Sequence, residues 1–250
     1  MYPYLHELLS DRKGGAVFTC FGPWHLGWIA LTVLAGAVLI LKLRRCDRER
    51  IEKTRDRLIA LAFGLYVADF FLMPLAYGEI DIEKLPFHAC TAMCVLCFLA
   101  GRYPALGRFR VQLAMLGLLS NFGYLIYPAG VMWHAVHPLS YRVVQTLAFH
   151  ALVSLYGLVT VAFADRREFT RWKPLLALNA AMTAWAMLGN CAYNTEARLI
   201  NWFFVVWDPF GLLPPEIAPW IMPFFNIALF FAAELLLCAA LRRGEEVHAL

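Results

Sequence analysis

The sequence predicts an all-α fold: a polytopic membrane bundle of about seven transmembrane helices, forming a single transmembrane domain over residues 1–250. Three observations carry this prediction. Hydrophobic residues make up 61% of the chain and charged residues 16%, whereas a soluble domain is about half apolar and about a quarter charged. So few charges cannot clothe a surface that faces water. Second, apolar runs of roughly 17–25 residues, enough to cross a hydrocarbon layer of about 30 Å, recur along the chain. Third, the basic residues segregate into alternate loops.

The elements follow in order. Trp24–Leu43 is the first apolar run, and Lys42, Arg44, Arg45, Arg48, Arg50, Lys53, Arg55 and Arg57 gather after it. Leu58–Tyr77 returns across the layer. The next loop, Gly78–Leu85, carries Glu79, Asp81 and Glu83 against Lys84, an exterior composition. Phe87–Gly101 is the third run, followed by Arg102, Arg108 and Arg110. Val111–Tyr127 is the fourth. Val143–Ala164 is the fifth, followed by Arg166, Arg167, Arg171 and Lys173. Pro174–Asn190 and Pro219–Leu241 complete the set, with Arg242 and Arg243 at the end of the last.

Seventeen of the 22 lysines and arginines therefore fall on one side. The positive-inside rule assigns that side to the cytoplasm. This fixes an odd number of spans, with the N-terminus outside and the C-terminus cytoplasmic. The net charge of +4 resides in these short loops, so no nucleic-acid partner is expected. Trp24, Trp28, Tyr124, Tyr127, Trp133, Tyr141, Trp202 and Trp220 crowd the opposite side, as an interfacial belt does.

The longest exterior segment, Cys191–Ala218, is apolar through Trp202–Trp207 and then breaks at Asp208-Pro-Phe-Gly211 and Pro214-Pro215. Two readings stand: a helix lying in the interface, or a lid or re-entrant loop over a cavity.

Polar residues inside a membrane are costly and turn toward the bundle interior. His25, Asp69, His88, Cys90, Asn121, His150, Asn190 and Asn226 all fall in the outer half, so each helix contributes to a polar layer. Asp69 sits eight residues below the outer end of its helix, about 12 Å down. Glu234 is the exception, on the inner half.

Cys90 is the sharpest chemical candidate, because a working thiol needs a helix N-terminus or a nearby imidazole. It lies in the first turn of the third helix, and His150 enters at matching depth. His88 is two residues from Cys90, which on a helix turns it to another face. Asp69 is placed to orient an imidazole. Cys94 and Cys97 form a C-x-x-C inside an apolar helix without a companion pair, which reads as core packing. Cys20 and Cys191 fall on one side and are candidates for pairing. His134 and His137 read as loop residues. No metal site or cofactor is expected: there is no P-loop, no Gly-rich dinucleotide fingerprint and no lysine in the last helix for a retinal Schiff base.

Leu85-Pro-Phe-His-Ala-Cys90 resembles the L-P-x-H-x-C motif of the bacterial YwaF-like integral membrane proteins, relatives of the animal transmembrane protein 164 acyltransferases. The resemblance extends to Phe21-Gly-Pro-Trp-His25, Tyr127-Pro128, Phe149-His150 and Asp208-Pro-Phe-Gly211. It implies a multi-pass protein of the bacterial cytoplasmic membrane that moves fatty acyl groups between lipids through a Cys nucleophile and a His partner. By motif, Cys90 is the nucleophile and His150 the base. The expected activity is that of a lipid acyltransferase or lipid-ester hydrolase, with membrane lipids as both substrate and solvent. Asp69, His88 and Asn121 are expected to position the imidazole or stabilise the oxyanion, with His25, Asn190 and Asn226 completing the polar layer. The alternative is a proton- or solute-binding transporter whose path runs through Asp69, His88, His150 and Glu234.

Overall fold

The structure, a computed structural model, describes residues 9, 16–78, 82–132, 135–196, 198–209 and 211–248. Among them are seven helices of twelve residues or more: α1 (Pro23–Leu43), α2 (Arg48–Tyr77), α3 (Ala89–Ala100), α4 (Arg110–Ile126), α5 (Tyr141–Ala162), α6 (Trp172–Tyr193) and α7 (Ala218–His248). No β-strand occurs among the described residues. The all-helical class and the positions of the apolar runs agree with the sequence reading. The main difference is that α2 begins ten residues before its apolar stretch. Asp47 caps it by accepting from the Arg50 N–H at 2.8 Å, and Arg48–Glu52 and Lys53–Glu49 pair one turn apart. Caps and such pairs sustain a helix where no apolar face is buried.

The seven apolar runs differ in length among the described residues, the third being the shortest. Five helices (α1, α2, α5, α6 and α7) are long and apolar enough to cross a membrane. The 17 residues of α4 reach about 26 Å and the 12 of α3 only about 18 Å. The shortness of α3 has a local cause. Pro86 contributes no N–H and drives Leu85 out of helical geometry, so after a single 3-10 turn at Ile82–Lys84 the chain from Leu85 to His88 approaches the helix as irregular backbone.

α5 is the hub: it packs on α1, α2, α3 and α4, and most of its side chains are buried. Its close seam with α4 depends on Gly157, where a Cβ would stand 2.8 Å from the Ala114 carbonyl oxygen and 2.7 Å from Leu118. Such small-residue seams are how helices approach one another in lipid. By contrast α1 and α7 expose large apolar side chains, including Leu31, Leu34, Phe224 and Leu236. A bundle that is apolar outside and carries polar groups within is built for lipid.

Hydrogen bonds tie the two ends of the bundle separately. At the basic end, Arg110 donates to the Ala100 carbonyl, Arg171 to the Arg108 carbonyl, and Gln112 to Glu168. At the other end, the Phe18 N–H donates to the Val136 carbonyl, and Tyr141 donates to Asp69. The Leu85–Cys90 motif lies at this second end.

Candidate functional site

Irregular backbone is tolerated at membrane depth only where protein satisfies its polar groups, since each unpaired group costs several kcal/mol there. The approach to α3 is satisfied by aromatic side chains from three directions. Tyr66 of α2 donates its hydroxyl to the Lys84 carbonyl at 2.9 Å. Trp185 of α6 donates to the Pro86 carbonyl at 2.7 Å, and Trp202 donates to the Glu83 carbonyl at 3.2 Å. The Phe87 ring is stacked on Trp185 and tilted against Trp202, with both centroids 4.8 Å away. It fits because residue 189 is glycine: a Cβ there would lie 2.4 Å from the Phe87 ring.

A second irregular segment packs beside the first. Ile200, Trp202, Phe203 and Val205 are buried in the main core, and Trp202 has no exposed surface at all. This is a buried course that folds back against the core, with a single 3-10 turn in place of a longer helix, and it removes Trp202 from the exposed aromatics. Its backbone is claimed by three residues of the predicted polar layer. Asn190 accepts from the Trp202 N–H and donates to the Trp202 carbonyl, each at 3.0 Å. His88 Nδ1 accepts from the Phe203 N–H at 3.1 Å. Asn226 donates to the Phe203 carbonyl at 2.6 Å. Asn201 and Asn194 close the flanks by bonding Val206, Trp207 and Ile200. These contacts hold Phe203 and Phe204 at φ of 55° and 53°, left-handed conformations that few bulky residues adopt.

Cys90 opens α3 behind His88, whose side chain caps no N–H of the helix because its Nδ1 is taken by Phe203. The first-turn N–H groups of α3 are thus free of a capping side chain, and the Cys90 sulfur lies against the N–H groups of Cys90 and Thr91. Across the bundle, His150 Nδ1 contacts the Thr146 carbonyl oxygen at 2.7 Å. A carbonyl only accepts, so Nδ1 carries the proton and Nε2 presents a lone pair. That Nε2 is buried and has no hydrogen-bond partner. The ring is fixed by Tyr124, stacked on it at 3.8 Å with 10° between planes, and by the edge of Phe149 at 5.0 Å. No hydrogen bond joins His150 to Cys90.

The other candidates are occupied elsewhere. Asp69 accepts from the Tyr141 hydroxyl at 2.6 Å and pairs with Lys84 at 3.0 Å, not with His150. His25 is fully buried with both ring nitrogens used: Nε2–H donates to the Leu125 carbonyl at 2.6 Å, and Nδ1 accepts from the Phe21 N–H at 2.8 Å. Asn121 donates to Gly117 of its own helix at 2.8 Å, and its Oδ1 is unpartnered. Glu234 bonds Asn179 at 2.6 Å and none of the outer-layer groups. All seven cysteines are free thiols, Cys20 and Cys191 included, and Cys94 and Cys97 are core residues. His137 accepts from the Leu139 N–H within its own loop, while Trp133, His134, Glu79 and Asp81 lie outside the described residues. No cluster of potential metal ligands occurs among the described residues.

Tyr66, Tyr124, Tyr141, Lys84 and Trp185 were not singled out from the sequence as site residues. Tyr124 and Tyr141 are indistinguishable there from belt aromatics, since each acts on a partner far along the chain. An apolar helical bundle with long apolar helices and its polar groups turned inward defines a class: a polytopic helical membrane protein. The profile of the TMEM164 family matches residues 20–241, and the chain belongs to that family. No curated protein and no solved structure matches it.

Proposed function

We propose that this protein is a lipid acyltransferase or lipid-ester hydrolase acting on glycerolipid acyl esters, with Cys90 as nucleophile and His150 as base. In this reading it is a multi-pass protein of the bacterial cytoplasmic membrane. The basic end faces the cytoplasm, the N-terminus lies outside, and α3 and α4 count as the third and fourth of seven passes. The observation that carries the chemistry is the state of His150: its Nδ1–H is fixed on the Thr146 carbonyl, so a buried, unclaimed Nε2 lone pair faces the interior. A base must be oriented and unprotonated before it can serve, and contacts to the nucleophile commonly tighten only when substrate binds.

The steps balance simply. Nε2 takes the Cys90 thiol proton as the sulfur adds to the acyl carbonyl carbon. The resulting oxyanion is met by the free N–H groups at the head of α3. The C–O bond breaks, the lysolipid oxygen leaves with the proton from His150, and a thioester remains on Cys90. An acceptor hydroxyl, from a second lysolipid or from water, gives its proton to Nε2 and attacks the thioester, which restores the thiol. An acyl ester lies just below the head groups, the depth expected for the end of the bundle that holds the motif.

The test uses the purified full chain in vesicles containing a phospholipid with a labelled acyl chain and an unlabelled lysophospholipid. Transfer of label to the acceptor, or its release as free fatty acid, is expected, and Cys90→Ala and His150→Ala should each abolish it. Turnover that survives Cys90→Ala refutes the mechanism.

A further inference from the structure

The polar residues of the inner half play no part in that chemistry. Glu234 of α7 and Asn179 of α6 face one another with no exposed surface on either. Asn179 Nδ2 donates to Glu234 Oε2 at 2.6 Å and to the Leu175 carbonyl at 2.9 Å. Two buried oxygens then remain without any partner: Glu234 Oε1 and Asn179 Oδ1. Both are acceptors, so neither can satisfy the other.

No described side chain bonds either oxygen: even Thr183, one turn along α6, has a buried hydroxyl without a partner that reaches neither. One turn toward the basic end, Leu175 and Cys238 belong to an apolar cluster with Met115, Val161 and Phe169. One turn the other way, Phe230 packs on the main core. Across the facing helices, α4 carries no charged side chain beyond Arg110 and α6 none beyond Lys173, both at the basic end. The turn Arg166–Thr170 packs on α7, and its Glu168 is held by Arg171 and Gln112. Glu234 forms no ion pair among the described residues. A carboxylate left alone at this depth is among the costliest arrangements a membrane helix can hold.

We propose that Glu234 and Asn179 form a proton-binding site that closes as a cyclic acid–amide pair. A single proton on Oε1 makes Glu234 a donor to Asn179 Oδ1, while Asn179 Nδ2 continues to donate to Oε2. One proton thus satisfies both unpartnered oxygens and removes the charge. A metal cation does not fit as well: hard cations take six or more oxygens, and this pair offers two. The pair acts as an interhelix clamp between α6 and α7, independent of the thiol chemistry.

The test is infrared difference spectroscopy of the lipid-reconstituted full chain against Glu234→Gln, in water and in deuterium oxide. The wild type should show a protonated-carboxyl C=O band that shifts on deuteration and is missing from Glu234→Gln. Asn179→Leu should keep that band but move it to higher frequency, because both hydrogen bonds of the pair, to the carbonyl and from the hydroxyl, are lost. Glu234→Gln should also retain the wild-type melting temperature, since its amide reproduces both hydrogen bonds, whereas Glu234→Ala should lower it. Identical carboxyl-region spectra for wild type and Glu234→Gln would mean an ionised Glu234 and overturn the proposal. An unshifted band in Asn179→Leu would equally remove the pairing.

Discussion

Truncating Asn190 isolates what holds the buried Trp202–Phe204 segment in place. In Asn190→Ala the Trp202 N–H and carbonyl lose their only side-chain partner among the described residues, and the segment around them is sealed from solvent. Each unsatisfied buried group costs about 1–3 kcal/mol, so two cost about 2–6 kcal/mol. Hydrogen bonds within membrane proteins measure lower, about 0.6 kcal/mol on average and about 1.7 at most. These bounds overlap in a loss of about 2–3 kcal/mol. Asn121→Ala is the matched control, because Asn121 bonds Gly117 and Ser120 of its own helix and bridges no second segment. Its loss should stay below about 1 kcal/mol, as expected for local back-bonding. Reversible denaturant unfolding in phospholipid micelles reads both differences. Asn190→Ala no more destabilised than Asn121→Ala would refute the idea that polar layer residues serve the buried backbone.

Three further outcomes follow from the same geometry. Gly189→Val should displace Phe87, whose ring lies 2.4 Å from the position of the new Cβ; overpacking of this kind costs about 1–3 kcal/mol, visible as a lowered melting temperature. His25→Leu should destabilise by about 2–4 kcal/mol, since the Leu125 carbonyl and Phe21 N–H both lose their partner, yet leave thiol reactivity at Cys90 unchanged in the folded fraction. For Asp69 and Tyr141, in contact at 2.6 Å, a double-mutant cycle with Asp69→Asn and Tyr141→Phe should give a coupling of about 0.5–3 kcal/mol in the same unfolding assay.

Much of this architecture is written in one-dimensional patterns. The apolar runs place α1 and α5 within two residues of their ends, because lipid demands uninterrupted helices with their backbone paired internally. The position of Cys90 at a helix head is equally local, set by Pro86 and the apolar run behind it. What the sequence hides is the work of the polar residues. Asn190 and Asn226 look identical to helix–helix glue, and His88 to a group that positions an imidazole or an oxyanion, until Trp202–Phe204 folds back between them. That course depends on contacts more than one hundred residues apart, such as His88 with Phe203. His150 and His25 likewise differ only in their partners: one keeps a free nitrogen and the other has none. Such a distinction arises from tertiary hydrogen bonding and leaves no mark in residue spacing.

The central claim is that Cys90 is an activated thiol served by His150. Its most direct test is labelling of the lipid-reconstituted protein with a thiol-directed acyl probe, followed by peptide mass mapping. The account predicts that Cys90 is acylated well ahead of the buried Cys94 and Cys97, and that His150→Ala abolishes this preference while His25→Leu does not. If Cys90 reacts no faster than Cys94, or keeps its reactivity in His150→Ala, the free lone pair on His150 does not serve the thiol and the account is contradicted.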